Sequence, residues 1–337
     1  MSSQLVMVNG VLRTVVKPVI QYMSMHPKKI SRRRPLLCGA AALLPVPKHV
    51  SIEPQKLGQF HGEWIHSEKN ADHTKEKVVL YLHGGGYVAC SPITHRNLTT
   101  RLARYGQCRV FAINYRKSPE YPYPYALEDA LHAYQWLLEQ GIDPGNIVLG
   151  GDSAGGNLTL VTLLAIRDKK LPMPAGGVCL SPWTDLTVKG DSIRFNRQMD
   201  PMIPSRRVKH AARLHANGMP LDDPRLSPIF ADLEGLPSLL IHVGDNEVLL
   251  SDSTRFAAKA KDSGVDVELK VWRNAPHVFQ LFAGLVPQSN QSLREIGHFV
   301  QRARGETPLV PVEPVPVETL PTGSQNTVTP LVKPAVI

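Results

Sequence analysis

Residues 147–160 read IVLGGDSAGGNLTL, and this stretch decides the fold. Three β-forming residues lead into the pentapeptide GDSAG at 151–155, and a segment with the apolar spacing of a helix follows. A serine in so sharp a strand-to-helix turn has a strained backbone, and the glycines let strand and helix approach without clashing Cβ atoms. The turn projects the hydroxyl of Ser153 outward, so the sequence predicts a nucleophilic serine on an α/β sheet.

The sequence on both sides of this turn repeats the alternation of strand and helix. Short apolar strands that lack polar alternation, separated by amphipathic helices, are typical of a mostly parallel sheet with helices on both faces. The fold class is therefore α/β. The predicted strands are 78–82, 109–113, 147–149, 178–180, 239–243 and 267–272, and the predicted helices are 94–105, 125–139, 154–168, 251–263 and 288–304.

Three segments do not fit the alternation. Roughly 50 residues separate Ser181-Pro182-Trp183 from the next strand, too many for an ordinary crossover, so we predict an insertion at about 186–220 with a helix at 204–217. Residues 5–25 are apolar at mixed spacing, which predicts a helix lying on the protein. Residues 306–337 contain seven prolines and predict an extended, disordered tail.

The positive charge is concentrated at the amino end. The chain of 337 residues has a formal net charge of +9. Residues 1–50 contain 8 Lys or Arg and no Asp or Glu, which leaves 38 − 8 = 30 basic and 29 acidic side chains in residues 51–337. The helix at 204–217 is also basic, at Arg206, Arg207, Lys209, His210, Arg213 and His215. Such spacing is typical of a solvated face, and no aromatic platform accompanies it, so we exclude nucleic acid as a partner.

The cysteines and the apolar runs indicate in which cellular compartment the protein is expected. The four cysteines form no C-x-x-C pair, which argues against a zinc ribbon and favours a reducing compartment. No apolar run reaches the roughly 18–20 residues of a membrane span. SRRR at 31–34 followed by the apolar run 35–44 resembles a weak export signal, but it begins far into the chain and lacks an A-x-A cleavage site. We expect a cytoplasmic protein without stable membrane insertion.

A second glycine motif, HGGG at 83–86, directly follows the strand at 78–82. Consecutive glycines free backbone N–H groups to point at a ligand oxygen, and those of Gly84, Gly85 and Ala154 would together hold an oxyanion. A phosphate loop is the competing interpretation, but neither G-x-x-x-x-G-K-[ST] nor G-x-G-x-x-G occurs here. His83 stands upstream of Ser153, and we expect it to organise the loop rather than to act as a base.

A serine hydroxyl needs a base, and the base needs an orienting carboxylate. The loop after the last strand offers His277. The acid should follow the strand at 239–243, where composition does not choose among Asp245, Glu247 and Asp252. The order serine, acid, histidine is that of the α/β-hydrolase fold. Two other histidines are set aside because one falls inside a strand and one on a late helix: His242 and His298.

Together these motifs resemble the hormone-sensitive-lipase-like family of bacterial carboxylesterases, over roughly residues 57–303. The loops around Glu247 and His277 contribute to the resemblance. It rests further on four stretches in the same order: HGGGY at 83–87, YRKSPEYPYP at 115–124, GDSAGG at 151–156 and SPWTDL at 181–186.

The resemblance implies an α/β-hydrolase fold with a helical cap. The cap would consist of residues 1–50 and the insertion, around a catalytic domain at 51–305. In the family the acid takes the fourth position of a G-x-x-D-P-L-like loop, which is Glu247 here. Glu-Val replaces Asp-Pro at this point, which leaves Asp245 and Asp252 as lesser alternatives.

The resemblance also implies a serine carboxylesterase acting on short to medium acyl esters. His277 would take the proton of Ser153, and an acyl-enzyme would form and be hydrolysed without a metal or cofactor. Asp152 is expected to anchor the turn and to have no catalytic role. Two alternatives stand beside this expectation: a non-catalytic small-molecule receptor of the same fold, and an amidase or lactonase. Natural substrate, chain length, stereoselectivity and oligomeric state stay open, with a homodimer through the sheet edge as one arrangement.

Overall fold

The structure is a computed structural model that describes residues 2–22, 29–32, 34, 39, 44–67 and 77–303. The predicted tail at 306–337 and most of the arginine-rich stretch at 31–44 lie outside these residues. The described strands form a sheet in the order β1-β2-β4-β3-β5-β6-β7-β8. The strands are β1 (Val50–Leu57), β2 (Phe60–Ser67), β3 (Val78–Leu82), β4 (Arg109–Asn114), β5 (Ile147–Asp152), β6 (Gly176–Leu180), β7 (Leu239–Gly244) and β8 (Val267–Trp272).

The sheet is parallel from β4 to β8 and antiparallel at one edge, which confirms the predicted fold class. Neighbours pair in parallel throughout β4-β3-β5-β6-β7-β8, whereas β2 pairs antiparallel with both β1 and β4. The β1–β2 hairpin turns at Gly58 and Gln59, and its two strands were not among those predicted. β1 is covered mainly on one side, and its polar residues and Pro54 obscure the two-residue period by which a strand is recognised.

Two apolar cores lie on opposite faces of the sheet. Successive residues of β3 alternate between them: Val78, Leu80 and Leu82 join one core, and Val79 and Tyr81 the other. This alternation follows from the two-residue period of a strand. The helices that pack on the first face are α4 (Tyr125–Glu139), α5 (Ala154–Asp168) and α8 (Leu250–Asp262), and those on the second are α3 (Pro92–Gly106) and α9 (Pro287–Arg302).

The amino-terminal helix lies on the body of the protein. It begins as α1 (Ser3–Val11), passes through a π-helical turn at Leu12–Val16 and ends as α2 (Lys17–Tyr22). Leu5, Val8 and Leu12 pack against Val286, just before α9. No helix among the described residues has the length and apolarity to cross a membrane.

The long connection between β6 and β7 contains α6 (Asp191–Phe195) and α7 (Ser205–Ala216), close to the predicted helix at 204–217. The π-helical turn and α2 contact it through polar side chains. Arg13 donates to the carbonyl of Met199, and Lys17 donates to that of Arg197 (3.1 Å). Two of the three segments that did not fit the sheet pattern, the amino-terminal segment and the insertion, therefore bind each other.

Candidate active site

Ser153 occupies the turn between β5 and α5 in a strained conformation, with φ 54° and ψ −117°. Its N–H donates to the carbonyl of Leu180 on β6 (2.8 Å), which ties the turn to the neighbouring strand. Any Cβ at Gly155 would overlap the carbonyl oxygen of Leu82, and one at Gly151 would overlap the backbone of Gly155. Both glycines are needed for the close approach of strand and helix. A non-glycine residue in such a backbone region costs on the order of 1–3 kcal/mol and commonly marks a functional site.

His277 lies in the loop after β8 and is hydrogen-bonded to Glu247 in the loop after β7. Its Nδ1 is 2.6 Å from Glu247 Oε2, and both side chains are buried. Because a carboxylate only accepts, the proton resides on Nδ1 and the lone pair of Nε2 is left for another partner. The loops after β5, β7 and β8 lie at the carboxyl edge of the sheet, so Ser153, Glu247 and His277 are brought to one side of it.

The Glu247 carboxylate has further partners at its other oxygen. Oε1 accepts from the hydroxyl of Ser181 (2.7 Å) and from the N–H of Gly244 (2.6 Å). The same Ser181 hydroxyl accepts from the N–H of Val278 (3.2 Å), beside the histidine. Ser181 follows β6 directly and was noted in the sequence only as part of SPWTDL. Its link to both loops depends on the pairing of β6 with β7, which sequence spacing does not reveal.

The electrostatic surroundings of His277 favour its protonated form. Burial alone would lower its pKa, but the charge and hydrogen bond of Glu247, together with the charges of Asp200 and Asp152, raise that pKa above the ordinary value. An imidazole that gains a proton during a reaction is stabilised by such neighbours.

The two other acids considered from the sequence lie in different hydrogen-bonding environments. Asp245 Oδ1 accepts from the N–H of Asn274 (2.6 Å). Asp252 Oδ2 accepts from the N–H groups of Thr184 and Asp185 (both 2.9 Å), and burial raises the pKa of Asp252 to about 8. Among the three candidates, Glu247 is the one hydrogen-bonded to His277 in the structure.

The glycine loop after β3 differs from the prediction at Gly84. The N–H of Gly84 donates to Asp152 Oδ1 (3.0 Å), which makes it unavailable to an oxyanion. Within the described part of the chain, no protein acceptor binds the N–H of Gly85, Gly86 or Ala154. Ala154 is the first residue of α5, where helical N–H groups have no intrahelical partner.

Asp152 connects the serine turn to this loop. Besides Gly84, it accepts from the Tyr81 hydroxyl (2.8 Å) and is 3.2 Å from His95 Nε2. His83 is buried and stacks on Tyr115, with ring centroids 4.3 Å apart. Burial, helped by nearby cationic groups, lowers the pKa of His83 well below its ordinary value, so a neutral imidazole stands there.

Helix α7 packs on the glycine loop. The ring of His215 stacks on Tyr87, with centroids 3.6 Å apart, and a Cβ at Gly86 would lie 3.5 Å from Ala211 Cβ. His215 is therefore not part of the solvated basic face predicted from its spacing. Burial lowers its pKa to about 3, so it is uncharged at neutral pH. The face that does meet solvent includes Arg206, Lys209, His210 and Arg213.

A strained serine, a buried acid–histidine pair and free amides lie at one sheet edge, an arrangement typical of hydrolases with the α/β fold. Among the described residues, no three His, Cys, Asp or Glu side chains are grouped as metal ligands would be.

Comparisons with known proteins define the family. Residues 79–281 match a family model described as the α/β hydrolase fold. An esterase of Acinetobacter venetianus is 36% identical over 267 residues, which cover 79% of this chain and 87% of the relative. An acetyl-hydrolase of Streptomyces hygroscopicus is 37% identical over 250 residues, 74% of this chain and 82% of the relative.

A solved structure gives the same result in three dimensions. A crystal structure of an esterase from the bacterial hormone-sensitive lipase family superposes with a TM-score of 0.83 at 39% identity, covering 90% of this chain and 99% of that one. The chain belongs to this family of carboxylesterases. It is a carboxylic ester hydrolase, as the sequence motifs predicted.

Proposed function

We propose that the protein hydrolyses short- to medium-chain carboxylic esters with Ser153 as nucleophile, His277 as general base and Glu247 as the orienting acid. The observation that carries this proposal is the buried 2.6 Å hydrogen bond between His277 Nδ1 and Glu247 Oε2, at the same edge of the sheet as the strained turn of Ser153. That bond gives the imidazole the tautomer that is able to accept a proton from a serine hydroxyl.

The reaction proceeds in two halves. Ser153 Oγ attacks the ester carbonyl while His277 Nε2 takes its proton, and the imidazolium then protonates the departing alcohol. Water, deprotonated by the same nitrogen, attacks the acyl-enzyme, and the imidazolium returns the proton to Ser153 Oγ as the acyl–oxygen bond breaks and the carboxylic acid leaves. Glu247 holds the ring and stabilises its charge in both halves without becoming protonated.

Oxyanion stabilisation falls to the amides of Gly85, Gly86 and Ala154. Gly84 is excluded because its N–H is bound to Asp152, and Gly86 replaces it as the donor from this loop. Loss of one such donor typically costs about 3–4 kcal/mol of transition-state stabilisation. Asp152 then has a structural role beneath the loop, since it orients Gly84.

The short acyl range is supported by a relative named for the hydrolysis of acetyl groups, the Streptomyces hygroscopicus acetyl-hydrolase. The test is a chain-length series of p-nitrophenyl esters from acetate to palmitate, with the corresponding anilides and a γ-lactone in parallel. We expect the highest kcat/KM between acetate and octanoate and far lower rates on anilides. An optimum on an anilide or lactone would contradict the ester proposal.

The nucleophile is tested by Ser153→Ala on p-nitrophenyl butyrate. We expect activity to fall by at least about 10⁴-fold, because the variant keeps binding and the oxyanion donors but has no nucleophile. Equal activity in the variant and the unaltered protein would refute the assignment. A binding protein without turnover would show saturable ligand binding and no release of p-nitrophenol in either form.

A further inference from the structure

Three buried side chains of the β6–β7 insertion lie four residues apart, at Ser192, Asn196 and Asp200, and all bind one loop. That loop, residues 245–249, leads into the first turn of α8 at Leu250 and Ser251 and carries the proposed acid Glu247. We call these three side chains the acid-loop clasp. The contacts connect a segment outside the sheet pattern to the part of the site where small displacements matter most.

Asn196 and Asp200 hold the loop at Glu247 itself. Asn196 Nδ2 donates to the carbonyl oxygens of Asp245 and Glu247 (both 2.9 Å). Asp200 Oδ2 accepts from the N–H of Val248 (2.9 Å). Donors and an acceptor of the insertion thus bind backbone groups on both sides of the Glu247 side chain.

Ser192 holds the end of the same loop. Its Oγ donates to the carbonyl of Val248 (2.6 Å) and accepts from the N–H of Ser251 (2.9 Å). In return, Ser251 Oγ accepts from the N–H of Ser192 (2.7 Å). The insertion and the loop are therefore bound at both ends of the contact.

The carboxylate of Glu247 is held from the opposite side, by Ser181 and Gly244 at the ends of β6 and β7. The sheet places the carboxylate, and the clasp places the backbone from which the side chain extends. A misplacement of about 1 Å in a catalytic group reduces rates by about 10²-fold, so contacts with the backbone control turnover without touching substrate.

Charge adds to this effect at Asp200. Asp200 is buried, and its Oδ1 accepts from the N–H groups of Met202 and Ile203 (both 2.7 Å). The charged groups that act on His277 are Glu247, Asp200 and Asp152, and each favours the imidazolium. A displaced Glu247 would support the imidazolium less, so the pKa of His277 would fall.

We propose that the acid-loop clasp positions the catalytic acid, which makes Ser192, Asn196 and Asp200 positioning residues for ester hydrolysis. The inference rests on the proposed role of Glu247. The amino-terminal helix takes part indirectly, because Lys17 Nζ donates to the carbonyl of Asp200 and so stabilises the position of this residue.

A matched pair of serines provides the test. Ser227, further along the connection between β6 and β7, is also buried, donates to a carbonyl (Leu221, 2.6 Å) and accepts from an N–H (Leu186, 2.7 Å). Ser192→Ala and Ser227→Ala thus remove the same groups, but only the first disturbs the acid loop. We expect kcat on p-nitrophenyl butyrate to fall about 10-fold in Ser192→Ala, with KM within 2-fold, and to stay unchanged in Ser227→Ala.

The pH profile separates positioning from general loosening. In Ser192→Ala the acid limb of kcat/KM should move to lower pH, because His277 loses part of the attraction that raises its pKa. Ser192→Thr, which keeps the hydroxyl, should have the kcat of the unaltered protein and the same acid limb of kcat/KM. Asn196→Leu, similar in size but without the two donors, should show the same fall and the same shift, and it serves if Ser192→Ala does not fold.

The outcomes distinguish two failures. If Ser153→Ala is inactive while Ser192→Ala and Asn196→Leu match Ser227→Ala in kcat and pH profile, the clasp inference is wrong and the proposed function stands. If Ser153→Ala remains active, the proposed triad is wrong and the inference falls with it. Equal losses of kcat in Ser192→Ala, Asn196→Leu and Ser227→Ala, without a shift of the acid limb of the pH profile, would also overturn the inference.

Discussion

Replacing Glu247 with glutamine is the sharpest test of the proposed triad, because the change keeps the shape and removes one acceptor. Oε1 accepts from Ser181 Oγ and from the N–H of Gly244, and the latter can only donate. The amide oxygen of a glutamine must therefore remain at this position. Its NH₂ group then faces His277 Nδ1, where the carboxylate oxygen now lies 2.6 Å away.

An NH₂ group at that place reverses the tautomer of the imidazole. His277 would carry its proton on Nε2 and accept from the glutamine at Nδ1, which leaves no lone pair for the proton of Ser153. The analogous acid-to-amide change in a serine-protease triad reduces kcat about 10⁴-fold, or about 5.5 kcal/mol. We expect a loss of this order in kcat for Glu247→Gln, with KM little changed because the acid does not touch substrate.

The assay is steady-state hydrolysis of p-nitrophenyl butyrate, with thermal unfolding to show that the variant is folded. Glu63→Gln is the matched control: Glu63, on β2, is also buried, and it binds Arg96 of α3 (2.6 Å) rather than a site residue. Its kcat should match the unaltered protein. A kcat for Glu247→Gln within about 10-fold of the unaltered protein would refute the reasoning, as would an equal loss in Asp252→Asn.

Three further predictions concern the surroundings of the site. Ser181→Ala removes one hydrogen bond to the proposed acid and should reduce kcat about 10-fold in the same assay; an unchanged kcat would contradict the role given to this hydroxyl. Gly155→Ala should abolish soluble expression, because its Cβ would overlap the carbonyl of Leu82, whereas Gly10→Ala, at an open helical position, should fold normally by circular dichroism. Burial raises the pKa of Asp252 to about 8, so between about pH 4 and pH 8 the native protein holds a proton that the unfolded chain releases, and stability falls as pH rises through this window. Asp252→Asn should make the free energy of unfolding, measured with urea, depend less steeply on pH, by at most about 1.4 kcal/mol per pH unit. If the variant and the unaltered protein gave parallel curves of unfolding free energy against pH, that would argue against the buried proton.

Much of the architecture was predictable because it follows from local pattern. The helices at 125–139 and 154–168 begin and end at the predicted residues, and the strand at 78–82 does as well. The two helices have a clear apolar period, and the strand is an unbroken apolar run of five residues. The β1–β2 hairpin was missed because it lies at the sheet edge, where polar residues and Pro54 are tolerated and periodicity weakens.

At the site, the sequence predicted residue types and their chain order, whereas the partners required the folded chain. Three acids near one strand end are equivalent in composition, and only the crossing of the β7 and β8 loops shows Glu247 against His277. The glycine motif likewise predicted free amides, but the bond of Gly84 to Asp152 joins residues far apart in sequence and was not foreseeable.

The sequence by itself determined the α/β class, the serine turn and the histidine after the last strand, because each depends on local backbone geometry and on periods of two and 3.6 residues. Only the tertiary structure decided which acid meets the histidine, which loop amides stay free, and that Ser192, Asn196 and Asp200 bind the acid loop. The physical reason is that hydrogen bonds act over about 3 Å, whereas the residues they join are separated by tens of positions along the chain.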